Sequence, residues 1–222
     1  MKSKMLVKTF VGILFILVLG TSAFPFWYVN KSGGGFVDPG VSTASVGLED
    51  YVVKGAGYFL ESYADTLLFM KKLEVGAENS LKDADTALLL DAALKNMEQA
   101  HKTYLELKRL ADITPYNTAV TDALIKFNYD GFQAAYSIDD RVFDRVRETL
   151  GKGDIRAVYD LIIIDAETII KRLNRVKSQV DAGAFPSTWD VWQLDRAYSD
   201  SARFGQYVSR IFDALNSTVN QY

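Results

Sequence analysis

The sequence predicts an all-α protein: an up-and-down bundle of four or five long antiparallel helices behind an N-terminal hydrophobic export or anchor segment. Three observations carry this. Apolar residues recur at three- and four-residue spacing from about residue 47 to the C-terminus, the period of a helix face. No stretch keeps the period-2 alternation of a strand. Only four prolines fall in 222 residues, so long runs are free to be helical.

Lys2, Lys4 and Lys8 make a positive start, and Thr9 to Asn30 then carries no charge. A helix needs about 20 apolar residues to cross a bilayer. Two readings are open for residues 1–29. Phe10–Leu19 is the apolar core of a signal peptide cut after Thr21-Ser22-Ala23, or the segment stays as a single anchor. In the second case Phe24, Phe26, Trp27 and Tyr28 form an aromatic belt and the lysines remain cytoplasmic. Either way the rest of the chain is expected outside the cytoplasmic membrane, anchored to it or periplasmic or secreted. Residues 30–46, NKSGGGFVDPGVSTASV, read as a flexible linker because of their Gly, Ser and Pro-Gly content. Residues 47–222 are the expected exported bundle.

The first helix is expected over about 47–75, with Val52, Ala56, Phe59, Tyr63, Thr66, Met70 and Leu73 facing the core. Ser80 and Asp83 then mark a capped start. The second helix carries Ala87, Leu90, Leu94, Met97, His101, Tyr104, Lys108 and Ala111 to about Asp112. Thr114-Pro115 opens a third helix by a capping hydroxyl and a proline at the first helical position. A break is expected near Tyr136, with a restart at Ser137 and Asp140, so 115–150 is one kinked helix or two. Gly151 and Gly153 stop that segment. Asp154 caps the next helix, which runs to about Asp181 with Ile155, Val158, Ile162, Asp165 and Ile169 inward. Pro186 with Ser187 or Thr188 opens the last, whose face is Val191, Leu194, Tyr198, Ser201, Gly205, Val208, Phe212 and Leu215.

Residue counts remove several chemistries. Without cysteine there is no disulfide, thiolate zinc site, iron–sulfur cluster or covalently attached haem. Neither a phosphate-binding G-x-x-x-x-G-K-[ST] loop nor a G-x-S-x-G elbow is present. The net charge is −3 and the pI about 5.3, against the basic footprint that nucleic acids need. Setting aside the three N-terminal lysines leaves 22 of 25 basic residues against 28 acidic ones, a formal −6 for the exported part. No cofactor and no enzymatic activity are expected.

Three groups remain as candidates. His101, the single histidine, follows Glu98 by three residues, half of the Glu-x-x-His pattern of carboxylate-bridged metal sites in bundles. With Asp165, set among isoleucines, it defines a small-ligand or metal reading. The competing reading is a core histidine and a boundary aspartate. Met70 and His101 do not make a haem axial pair, because the helical rise places them at different heights from the turn. On the last helix Arg196, Arg203 and Arg210 recur every seven residues, with Trp189 and Trp192 continuing the same side. That is a face for a partner protein in the envelope or for self-association; otherwise it is a solvated face with local pairs such as Arg196–Asp200. The expected function is therefore a non-enzymatic envelope bundle acting through protein–protein contact, as an accessory subunit of a membrane complex. The alternative is a sensor or carrier of a small ligand or metal around His101.

Overall fold

Caps and breaker residues set most helix boundaries. The computed structural model describes residues 39–75, 84–113 and 118–219. Among them are seven helices and no strand: α1 Pro39–Val75, α2 Ala84–Ile113, α3 Thr118–Ile125, α4 Tyr129–Ala135, α5 Arg141–Leu150, α6 Arg156–Asp181 and α7 Thr188–Val219. None is long and apolar enough to cross a membrane. The export or anchor segment 1–29 lies outside the described residues.

Two boundaries differ from expectation. α1 begins at Pro39, so residues 39–46 are helical where a spacer was expected; proline suits a first helical position because its missing N–H has no intrahelical acceptor there. The segment expected as one kinked helix or two is three. The anticipated break at Tyr136 is present, and a second falls at 126–128, where Asn128 Oδ1 accepts from Gly131 N at 2.9 Å and starts α4 afresh. Asx side chains compete with the backbone in this way.

The remaining caps follow the residues. Asp140 Oδ1 accepts from Val142 N at 2.7 Å and Phe143 N at 3.1 Å. Asp154 Oδ1 accepts from Arg156 N at 3.0 Å. Two αL caps end helices. At Gly183 (φ 71°) the amides of Gly183 and Ala184 return to Val180 O and Gln179 O. At Ser137 (φ 51°) the amides of Ser137 and Ile138 return to Ala134 O and Gln133 O. Both have the paired bonds of a Schellman motif.

The chain divides into two compact units. The described parts of Met1–Val53, Glu106–Leu161 and Ala202–Tyr222 form the first; those of Lys54–Leu105 and Ile162–Ser201 form the second.

In the second unit α1 meets α2 through small residues. Between residues 51 and 74 of α1 the buried positions are Gly55, Phe59, Ser62, Thr66 and Phe69. The face is turned by about one residue from the expected one, since Ala56, Tyr63 and Met70 are only half-buried. The reason is polar: Ser62 Oγ donates to Ala93 O at 2.6 Å and lies 2.6 Å from the Tyr198 hydroxyl, so Tyr198 supplies that second proton. Thr66 Oγ1 lies 2.9 Å from Ser62 O and 3.2 Å from Tyr198 Oη. Tyr63 stacks on the Tyr198 ring at 4.8 Å and Phe59 meets its edge at 5.7 Å. Along α1 and α2 the contacts pair Lys72 with Asp85, Asp65 with Asn96 and Gly55 with Tyr104.

In the first unit Val120, Leu124, Phe132, Val142, Phe143, Val146, Leu150, Phe204, Tyr207 and Ile211 are buried. Phe132 and Phe143 stack at 5.9 Å, and Tyr207 meets Phe143 edge-on at 5.6 Å. Lys108 of α2 is hydrogen-bonded to Asp160 of α6.

Candidate functional site

The start of α7 is built by a clamp. Ser187 is the cap, its Oγ accepting from Asp190 N at 3.1 Å and donating to Asp190 Oδ2 at 2.6 Å. Gln179 of α6 donates to the same oxygen at 2.8 Å and accepts from Ser187 N at 3.1 Å. Arg175 Nε reaches Asp190 Oδ1 at 2.7 Å. The bonds from Ser187 and Gln179, ahead of the Arg175 charge, hold the Asp190 carboxyl below its usual range.

On this fixed base Trp189 and Trp192 stand one turn apart on the outer side of α7, 62% and 44% exposed. Their rings stack at 5.0 Å with 29° between planes. The Arg196 guanidinium lies 5.1 Å from the Trp192 ring centre and 3.6 Å from Asp200. The result is an exposed aromatic group with one cation at its end, in the second unit.

The other two arginines of the expected face are engaged in the first unit. Arg203 Nη1 is 3.3 Å from Asp140 Oδ2. Arg210 lies 5.5 Å from the Tyr136 ring centre. Arg203 and Arg210 thus each also contact the α4–α5 region, while both stay only half-buried. Their seven-residue spacing fixes which side of α7 they occupy, while what packs there comes from elsewhere in the chain.

The metal candidates do not come together. His101 sits at the flank of the buried face of α2, whose centre is Ala93, Met97, Ala100, Tyr104 and Leu107. Its side chain is 22% exposed and its Nε2 is 3.3 Å from Glu167 Oε1, not Glu98, which is exposed. Asp165 is half-buried at the boundary, because Ile163, Ala166 and Ile169 hold the inward positions of α6. Among the described residues no three His, Asp or Glu side chains converge at ligating distance.

Two polar centres lay beyond sequence reasoning. One is Ser62–Thr66–Tyr198. The other is Asp140, whose Oδ2 accepts from Tyr207 at 2.7 Å. Ser62 and Thr66 at i, i+4 inside an apolar stripe were the available signal for the first; Asp140 showed only its cap.

The described chain is thus an all-helical protein with polar ties inside each unit and an exposed aromatic pair on its last helix. No protein-family model, no curated protein and no solved structure matches it.

Proposed function

We propose that this chain is a non-enzymatic cell-envelope protein, exported or anchored through residues 1–29, that acts by contact with another protein as an accessory subunit of a membrane complex. Its helices are read as an up-and-down antiparallel bundle. The α1–α2 contacts support that arrangement, since partners descend on one helix as they ascend on the other. The Trp189–Trp192–Arg196 group is the observation that carries the contact reading. Tryptophan and arginine dominate the energetic centres of protein interfaces, and two neighbouring indoles left in water are costly unless something covers them.

The test is a gentle pull-down of the full chain from its native membranes, with intact mass read on the recovered protein. A stoichiometric partner with the wild type, reduced about tenfold or more in a Trp189→Ala/Trp192→Ala variant of unchanged helicity, supports the proposal. Capture unaffected by the double substitution, or wild-type chain recovered alone, counts against it. The intact mass also separates a retained anchor from cleavage after Ala23.

A further inference from the structure

We infer that the α6 surface beside the Trp189–Trp192 pair docks an acidic segment of the partner protein, whose carboxylates seat on Lys171 and Arg172. This rests on the protein-contact reading and gives the partner its chemistry.

The first argument is the charge of α6. From Thr168 to Val180 it carries Lys171, Arg172, Arg175 and Lys177 and no acidic residue, in a chain whose formal net charge is −3. Two of these cations are matched within the chain. Lys177 binds Asp91 and Asp181, and Arg175 binds Asp190. Across on α7, Arg196 binds Asp200, while Asp195 lies towards Tyr63 of α1. Lys171 and Arg172 have no acid at ion-pair distance among the described residues. They are an unmatched positive pair on an acidic protein.

The second argument is the state of Arg172. Gln179 and Arg175 both reach Asp190, so that side of α6 faces α7. Arg172 stands one turn before Arg175 and two before Gln179, on the same side. Its side chain is half-buried, and its Nε is fully buried with no hydrogen-bond partner. A cation that has lost water without gaining a carboxylate is costly to hold. The same condition makes it a strong receptor for a carboxylate from outside, because part of its desolvation has already occurred and the side chain is already positioned.

The third argument is place. With Arg175 beside Asp190, Arg172 comes level with about Gln193, between the heights of Trp189 and Arg196. The unmatched cations and the exposed indole of Trp189 therefore share the α6–α7 side of the second unit. Aromatic anchors flanked by complementary charge are how protein interfaces combine affinity with partner choice.

The experiment treats native membranes carrying the full chain with a water-soluble carbodiimide, which joins a lysine amine to a carboxyl in direct contact. Amides are expected from Lys171, and from the new amine of Arg172→Lys, to Asp or Glu of one other protein. Partner capture should fall about tenfold or more in Lys171→Glu/Arg172→Glu of unchanged helicity, and should weaken in molar salt. Lys171→Glu alone, on an exposed side chain, should lower it about threefold or more and decides the test if the double variant fails to fold. Amides only to carboxyls of this chain, within it or in a second copy, overturn the inference, as do no amides at either position. So does capture that the charge reversals leave at the wild-type level. Protection of Lys171 from acetic anhydride by phosphatidylglycerol vesicles, without an amide to another protein, assigns the surface to lipid and also overturns it. Capture lost in Trp189→Ala/Trp192→Ala but kept in the charge reversals leaves the protein-contact reading standing while this inference falls. Wild-type chain recovered alone removes both.

Discussion

The Tyr207 hydroxyl donates to Asp140 Oδ2 at 2.7 Å, tying α7 to the cap of α5 across 67 residues of chain. Burial works against the Asp140 charge, but the donors from Tyr207, the Phe143 and Val142 amides and Arg203 outweigh it and hold the carboxyl below the usual range. Burial first, and the Asp140 carboxylate second, push the Tyr207 phenol up to about 12.

These shifts have opposite pH windows. A depressed carboxyl stabilises the fold above its unfolded value of about 4, and that contribution is lost as pH falls through the folded value. A raised phenol contributes fully below its unfolded value of about 10 and loses the contribution as pH climbs through the folded value. Tyr207→Phe is expected to cost about 1.5–3 kcal/mol at neutral pH, the range of a hydrogen bond to a charged group. The gap between wild type and variant in urea unfolding should narrow below pH about 4 and again above about 10. A gap flat across pH would contradict the linkage.

Two glycines two residues apart on α1 are expected to behave oppositely. A Cβ on Gly55 would lie 2.4 Å from Cε1 of the buried Tyr104 ring, whereas one on Gly57 meets nothing within 4 Å. Gly57→Ala should stabilise by about 0.5–1 kcal/mol through helix propensity. Gly55→Ala gains the same propensity but forces a packed ring to move, a cost of about 1–3 kcal/mol, and should be net destabilising. Thermal unfolding of both variants decides; two stabilised proteins would mean that the ring yields freely.

Two positive-φ positions, Ser137 and Gly153, supply a second pair. Ser137 holds φ 51° without being glycine, so Ser137→Gly should raise stability by about 1 kcal/mol. Gly153 has φ 73°, and its Cβ would fall 2.8 Å from Thr121 Cγ2. Gly153→Ala should lower stability by about 1–3 kcal/mol, from backbone strain and overpacking together. Denaturant midpoints with unchanged slope are the check.

Trp189 and Trp192 are exposed and act on each other rather than on the core. Their joint replacement by alanine should change the unfolding free energy by less than about 1 kcal/mol. Circular dichroism through a urea titration reads this directly. A loss above about 2 kcal/mol would make the pair a structural element and remove it as a contact surface.

Helix identity and most helix ends were legible in the residues, because they depend on neighbours in sequence. Asp140, Asp154 and Ser187 cap where a short polar side chain precedes an apolar run, and Gly153 sits where positive φ is needed. The face of α1 was legible only to within about one residue, whereas Leu194, Tyr198, Val208, Phe212 and Leu215 of α7 are buried as expected. Apolar size points to Tyr63 and Met70, yet close helix approach selects Ser62 and Thr66, and that approach depends on Ala93 and Tyr198 from distant segments. His101 lost its core position for the same reason: small Ala100 occupies the contact, and the histidine turns to Glu167.

By itself the sequence determined the all-helical class and the breaks at Tyr136 and Gly153. These follow from local sterics, capping and periodicity. The tertiary structure alone decided which neighbour each arginine of the last helix meets. Arg196 stays beside Trp192, while Arg203 meets Asp140 and Arg210 meets Tyr136. A helical repeat places side chains on one side of a cylinder. Only the packing of other helices against that side determines whether each one meets solvent, a carboxylate or a ring.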